Sequence, residues 1–270
     1  MILASDLPLH LWLGIPTATA YALTALMGPR VSPQMGQRLV IGPWVLHGLS
    51  LIYALFGSQD GVTRFGFAPA LSVTLWLMFT FYLLEQHWFP QLRMRWAFAL
   101  LGVAVVLLAA CFPGAPLHVS ASPWLPLHWA LGIASYGLFA AAVGHAWLMT
   151  RAERNIRLAA DSNVGLPLLT LERLTFRFVN AGFALLTATL AAGWLFGDSL
   201  YGAQAAWHWD HKTVFSLLSW LTFAVLLLGR YRFGWRGRTA VRVLYAGSGL
   251  LLLGYVGSRF VLEVILGRMA

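Results

Sequence analysis

Long apolar runs alternate with short polar segments along this chain, and eight of the runs are long enough to form membrane-spanning helices. A helix rises about 1.5 Å per residue, so about 20 apolar residues cross the hydrocarbon layer of a bilayer. The runs lie near residues 9–27, 39–56, 67–84, 96–112, 127–150, 174–196, 211–229 and 240–266. The pattern predicts an all-α, polytopic integral membrane bundle of about eight transmembrane helices, with residues 1–270 in a single transmembrane domain.

The placement of basic residues predicts how the helices are oriented. Hydrophobic residues make up 59% of the chain and charged residues only 10%, yet the formal net charge is +9. Most basic residues fall in alternate loops, and the exceptions are Arg64, Lys212, Arg259 and Arg268. Because positive loops stay in the cytoplasm, both chain ends are expected on the outer, periplasmic side. The lipid bilayer is the expected surrounding, and the charge requires no nucleic-acid partner.

Two segments between or before the main runs need separate interpretations. The apolar run at residues 9–27 has no basic residues before it, so we interpret it as a retained first helix and not a cleaved signal peptide. The longest predicted loop spans residues 151–173, and residues 166–176 are expected to lie along the cytoplasmic interface.

Cys111 is the single cysteine, which excludes a disulfide framework, a CxxC redox pair and a haem-attaching CxxCH motif.

His128 lies at the outer start of the fifth predicted helix, with Ser135 two turns further along the same face. A neutral imidazole at this interface can ligate haem iron or relay a proton, whereas the plain alternative is a polar residue at a helix entrance. His145 lies 17 residues further along that helix. At about 25 Å from His128, it cannot ligate the same iron. His145 and His87 belong to the cytoplasmic half, where we expect ordinary structural roles.

His47 is predicted to lie near the middle of the membrane in the second helix. Ionisable residues at that depth usually face a bundle interior or a cavity, because exposure to lipid is unfavourable. His47 is therefore a candidate functional residue, and a plain interhelical hydrogen bond is the open alternative.

The densest group of chemically capable side chains precedes the seventh predicted helix, where the sequence reads Ala-Trp-His-Trp-Asp-His-Lys over residues 206–212. Tryptophan faces can pack on a flat macrocycle, histidine can ligate iron, and an aspartate can cap a helix. An interfacial cap with aromatic anchors is the alternative interpretation.

Trp207, Trp209-Asp210 and Lys212, followed by residues 216–220 (Ser-Leu-Leu-Ser-Trp), resemble the tryptophan-rich signature of the cytochrome c assembly superfamily. Residues 234–238 (Gly-Trp-Arg-Gly-Arg) and 254–260 (Gly-Tyr-Val-Gly-Ser-Arg-Phe) resemble the segment that follows this signature in CcsA-type proteins, and more closely in the YpjD/HemX-like branch. The resemblance covers residues 39–266 and includes CcmC and CcmF among the wider relatives.

The resemblance implies a bacterial inner-membrane protein that handles haem, bound non-covalently as haem b, in cytochrome c biogenesis. It makes His128 the first outer haem ligand, matches His47 to an intramembrane histidine, and has Trp207, Trp209 and Asp210 frame the haem. His208 or His211 is the candidate for the second outer ligand, so the expected iron ligands are His47, His128 and His211. Arg259 is expected to meet a haem propionate or to pair with Glu263.

Departures from the superfamily pattern point to a haem binder or chaperone and not to a complete cytochrome c synthetase. The superfamily pattern has a proline after the Trp-Asp pair, a second outer histidine after the last segment and an intramembrane histidine near the position of Leu228. In this chain His211 replaces the proline, no histidine follows His211, and none lies near Leu228. The alternative is a degenerate member that regulates or assembles other membrane proteins without haem chemistry. A transporter or intramembrane hydrolase is least favoured, because the chain has no HExxH motif, no phosphate-binding loop and no obvious intramembrane acidic relay.

Overall fold

The computed structural model describes residues 9–28, 30–56, 64–89, 96–116, 124–158, 167–197 and 210–267. This part of the chain is almost entirely helical. The helices are α1 (Leu9–Met27), α2 (Pro33–Arg38), α3 (Ile41–Phe56), α4 (Phe67–Trp88), α5 (Trp96–Cys111), α6 (Leu125–Arg157), α7 (Leu168–Leu195), α8 (His211–Phe233) and α9 (Gly237–Leu252). Two short strands, β1 (Arg64–Phe65) and β2 (Ala115–Pro116), form one antiparallel pair that the apolar pattern did not predict.

Helix α9 continues through two wide turns of π-helix, Leu253–Gly257 and Val261–Ile265, which flank the α-helical turn Ser258–Phe260. The helix is thus one long element near the predicted eighth run. Five helices in the described part are long and apolar enough to cross a membrane: Phe67–Trp88, Leu125–Arg157, Leu168–Leu195, His211–Phe233 and Gly237–Ile265. Shorter apolar helices occupy Ile41–Leu55 and Phe98–Cys111. The all-helical class is confirmed, and each of the eight predicted helices has a counterpart.

The loop between α6 and α7 is shorter than the sequence predicted. Helix α6 continues to Arg157 and α7 begins at Leu168, so residues 168–176 belong to the same continuous helix as the sixth predicted span. The predicted interfacial location of residues 166–176 stays a prediction. Glu153 and Arg157 form an ion pair one turn apart, which extends α6 beyond its apolar run. Leu171 and Leu174 are buried, so the first turns of α7 are held by packing as part of one continuous helix.

The structure divides into two compact units. Unit 1 comprises Met1–Thr80, Arg93–Leu117 and Arg259–Ala270. In its core, the fully buried Tyr21 of α1 stacks on Phe79 of α4 with ring centroids 5.3 Å apart. Gly102 of α5 lies directly against the Tyr21 ring, since a β-carbon there would come within 2.8 Å of it. The absence of a side chain at Gly102 therefore lets α1 and α5 pack closely.

Unit 2 comprises Phe81–Leu92 and His118–Ser258. Its core is built on a close stack between Phe139 of α6 and Phe223 of α8, whose ring centroids are 3.8 Å apart. Gly182 of α7 and Gly247 of α9 lie against these two rings, with β-carbon positions only 3.1 and 2.8 Å from them. The Ser219 hydroxyl also donates a hydrogen bond to the Gly247 carbonyl. Small residues and one polar contact thus bring the four helices together.

Candidate functional site

His128 lies in the first turn of α6 and is half-buried. The imidazole lies over the last turn of α7, because its Cε1 is 3.4 Å from the position that a β-carbon of Gly193 would occupy. The Ser135 hydroxyl, two turns further along, is buried and donates to the carbonyl of Gly132. His128 therefore stands at the entrance of a helix, as predicted, with one face against α7 and part of its surface open.

A cation and two phenol rings lie in the same unit, around the start of α8. Lys212 is close enough to His128 to interact with it electrostatically, and its Nζ lies 5.6 Å from the ring centroid of Tyr255. Tyr255 belongs to the first π-helical segment and interacts with Tyr136 of α6. The Tyr136 hydroxyl donates to the carbonyl of Leu251 at 2.5 Å. An imidazole, an ammonium group and two phenols thus meet where α6, α8 and the π-helical segment converge.

Asp210 is the N-cap of α8, as the sequence suggested. Its carboxylate accepts a hydrogen bond from the backbone N–H of Thr213 at 2.8 Å. A carboxylate at this position satisfies a backbone donor and interacts favourably with the helix dipole. His211 is the first residue of α8 and is exposed, next to Lys212. Trp207, His208 and Trp209 lie outside the described residues.

His47 is fully buried in unit 1, and both of its ring nitrogens have hydrogen-bond partners. Nδ1 lies 3.1 Å from the Tyr21 hydroxyl, and Nε2 lies 2.8 Å from the Ser72 hydroxyl. The imidazole therefore links α1, α3 and α4, which is the interhelical hydrogen bond that the sequence left as an alternative. Iron ligation by His47 would require one of these two hydrogen bonds to be broken.

Arg259 follows the first π-helical segment and interacts electrostatically with Glu263 one turn later. The Glu263 carboxylate accepts the backbone N–H of Phe67 at the start of α4. Gly66 makes this possible, because a β-carbon there would lie 2.6 Å from Glu263 Oε1. Within unit 1, these contacts join the end of the last helix to the start of α4.

Sequence reasoning missed a buried ionic pair in unit 2. Glu85 and His145 are 6% and 4% exposed, and Oε2 of Glu85 lies 2.8 Å from Nε2 of His145. Nδ1 of His145 is 2.7 Å from the Ala141 carbonyl, which can only accept, so Nδ1 must donate. The Nε2 side of the ring therefore faces the Glu85 carboxyl group as a buried ion pair. Glu85 sits beyond the apolar run that predicted α4, so only the longer helix brings it into the interior.

A second acidic residue, Glu172 of α7, is also buried and paired. It accepts a hydrogen bond from Arg230 of α8 and lies 3.8 Å from Arg236. The Arg230 guanidinium stacks over Phe176 at 4.5 Å and donates to the carbonyl of Trp235. Glu85 and Glu172 are thus the two acidic residues buried within the described helices, and each is paired with a basic side chain.

Among the described residues, no group of three or more histidine, cysteine, aspartate or glutamate side chains could hold a metal ion. A haem group needs fewer protein ligands than a bare ion does, because its macrocycle supplies four nitrogens and the protein supplies only axial ligands. His128 with the Lys212 cation beside it suits such a group, since haem carries two carboxylates. The donor set among the described residues therefore fits haem.

Comparison with known proteins gives one family match and several curated relatives. The family described as "Cytochrome C assembly protein" matches residues 42–266. Over 174 residues, the chain is 33% identical to the inner membrane protein YpjD of Escherichia coli (strain K12), covering 63% of each protein. Over 164 residues, it is 28% identical to the cytochrome c biogenesis protein CcsA of Prochlorococcus marinus, covering 50% of this chain and 51% of CcsA.

The aligned region spans less than two thirds of the length of these relatives. The family match is broader, since it includes α3 to α9 and therefore every residue of the site around His128. Together with the five helices long enough to cross a bilayer, the comparisons identify a multi-pass protein of the inner membrane.

Proposed function

This chain belongs to the cytochrome c assembly protein family, and from that premise we propose that it binds haem non-covalently in the inner membrane and serves cytochrome c biogenesis. The observation that carries the proposal is the placement of His128 within electrostatic range of Lys212, whose ammonium group lies over Tyr255, at one end of unit 2. The finer topology belongs to the same proposal: eight spans, with both chain ends and this site on the periplasmic side.

His128 is the residue that we propose would ligate the haem iron. Its position in the first turn of α6 leaves the residue half-buried, and the Cε1 edge of its ring lies against Gly193 of α7. When bound, haem would supply its iron and macrocycle; the chain supplies the imidazole and a shaped wall. His211 is the proposed second ligand, because it lies next to Lys212 at the exposed start of the same site.

Lys212 is the proposed partner of a haem carboxylate. An ammonium group forms a charge-assisted hydrogen bond with a propionate, and this bond orients the macrocycle as well as stabilising it. The Tyr255 ring holds the lysine side chain on one side. Trp207, His208, Trp209 and Arg259 remain proposed contacts from the family resemblance, and the first three lie outside the described residues.

We propose a binding role and not a complete synthetase. His47 is less suited to ligate iron than His128, because both of its nitrogens are already hydrogen-bonded within unit 1. Haem could be passed to other membrane proteins of cytochrome assembly, which are the proposed partners. The competing proposal is a regulatory or assembly subunit without haem chemistry. The observation that favours it is that both ring nitrogens of His47 are already hydrogen-bonded.

A haem titration of the detergent-purified protein separates these proposals. We expect the wild type to sharpen and shift the Soret band on addition of haemin, and His128→Ala to abolish that change. His211→Ala is expected to weaken it, while His47→Ala should retain it in whatever protein remains folded. His87→Ala is the matched control, because His87 is an exposed histidine at the end of α4.

An unchanged Soret band in every sample would refute haem binding. It would favour the regulatory or assembly role, which predicts that a membrane protein co-purifies with the wild type. Equal loss of the band in His128→Ala and His87→Ala would show adventitious histidine ligation and would also refute the site.

A further inference from the structure

Four helices of unit 2 converge at the end opposite the His128 site. A small cavity there is lined by Met149 of α6, Glu172 and Phe176 of α7, Leu226 of α8, and Gly237 and Val241 of α9. The last turns of α6 and α8 thus meet the first turns of α7 and α9. We call this the arginine end of unit 2.

The arginine end is named for nine exposed arginines on these helices and on the α8–α9 connection. They are Arg151, Arg154, Arg157, Arg173, Arg177, Arg232, Arg236, Arg238 and Arg242. Two pairs, Arg173 with Arg177 and Arg238 with Arg242, are spaced four residues apart, so each pair lies on one helix face. The end therefore presents a dense positive surface.

The acidic residues that the structure describes in this region do not neutralise that surface. Within the described part of unit 2, the carboxylates are Glu85, Glu153, Glu172 and Asp210. Glu85 is buried against His145, Glu153 pairs with Arg157, Glu172 pairs with Arg230, and Asp210 caps α8 at the other end. The two arginine pairs on α7 and α9 consequently have no carboxylate partner among the described residues.

Large apolar side chains surround the arginines. Tyr231, Phe233 and Leu169 are 78%, 74% and 69% exposed. Arg151 lies over the Trp147 ring at 5.6 Å. At a membrane surface, such apolar side chains enter the acyl region while guanidinium groups remain at the level of the lipid phosphates.

The type of cation is also informative. Seventeen of the eighteen basic residues in the chain are arginine and only Lys212 is lysine. The orientation rule for membrane proteins requires only positive charge, which lysine supplies equally well. Arginine additionally presents a planar fork that binds phosphate oxygens through two parallel hydrogen bonds.

We propose that the arginine end of unit 2 binds the headgroups of anionic phospholipids, with Arg173/Arg177 and Arg238/Arg242 as the principal contacts. The two arginine pairs, which have no carboxylate partner among the described residues, and the adjacent exposed apolar side chains match the two chemical halves of a lipid molecule. This proposal is independent of haem binding, since no residue of the His128 site takes part.

The test measures lipid affinity by native mass spectrometry of the protein in detergent, titrated with phosphatidylglycerol or phosphatidylcholine. We expect tighter binding of phosphatidylglycerol by the wild type. Arg173→Gln/Arg177→Gln and Arg238→Gln/Arg242→Gln should each weaken it about 25-fold, at about fivefold per basic residue near an anionic surface. The substituted positions are exposed, so thermal unfolding of the variants should match the wild type.

Arg30→Gln/Arg38→Gln is the matched control, because it removes two exposed arginines of unit 1. Its phosphatidylglycerol affinity is expected to be unchanged. Equal affinity for the two lipids, or an equal loss in control and test variants, would overturn the proposal. Binding of inorganic phosphate with displacement of the lipid would identify a soluble ligand and would overturn the lipid assignment as well.

Discussion

His47 in unit 1 and His128 in unit 2 are both histidines on apolar helices, but their surroundings give them different capacities. His47 is fully buried, with a hydroxyl group at each ring nitrogen. His128 is half-buried at a helix start, beside a cation. A buried imidazole with two partners stabilises helix packing, whereas a half-buried histidine at a helix start is within reach of a ligand. The comparison teaches that depth in an apolar helix does not by itself identify a cofactor ligand.

The largest expected effect concerns His145, a third histidine that is buried like His47 but paired with a carboxylate. His145→Leu leaves Glu85 buried without its partner, so we expect a loss of about 3–5 kcal/mol in stability. The measurement is denaturant unfolding in detergent micelles, followed by tryptophan fluorescence.

The double variant Glu85→Leu/His145→Leu is the control for that effect. When both partners are replaced by apolar side chains, no buried charge is left without a partner. The stability of the double variant should therefore return close to that of the wild type. A double variant as unstable as His145→Leu would contradict our account of the pair.

A smaller loss is expected for His47→Ala, about 1–3 kcal/mol, because two buried hydroxyl groups lose their partner. Haem affinity of the folded fraction should be unchanged. Ser72→Ala, which removes only one of the two hydrogen bonds, should cost about half as much. If His47→Ala abolished haem binding without loss of stability, the contrast with His128 would be wrong.

Asp210→Ala is expected to cost about 1 kcal/mol through loss of the N-cap of α8. Asp210→Asn retains the capping oxygen and should stay close to the wild type in thermal unfolding. A haem affinity that falls equally in both variants would indicate that the negative charge contacts the ligand site directly, in addition to capping the helix.

The smallest expected effect on stability is that of His128→Ala, within about 0.5 kcal/mol, because the side chain is partly open at a helix start. The same variant should lose the Soret response described above. His128→Ala should therefore keep its stability and lose haem binding, whereas His47→Ala should lose stability and keep haem binding. This difference between the two variants is the sharpest test of the comparison.

Several features were readable from the linear sequence because they depend on local composition. The eight helices appear close to their predicted positions, and Asp210 forms the predicted cap, since apolar length and capping residues act within one or two turns. The family resemblance was also carried by short motifs and is confirmed over residues 42–266. The loop after α6 was predicted too long, because an ion pair and packed leucines extend the helices beyond their apolar runs.

The sequence by itself determined the helices, the inner-membrane class and the family, because these depend on the solvent that each segment prefers and on local motifs. Only the tertiary structure decided which polar groups meet. Glu85 and His145 lie 60 positions apart, Glu172 and Arg230 lie 58 apart, and His47 finds partners on two other helices. Hydrogen bonds and ion pairs act over a few ångströms, so the rotation and approach of packed helices select them, and no local pattern encodes that choice.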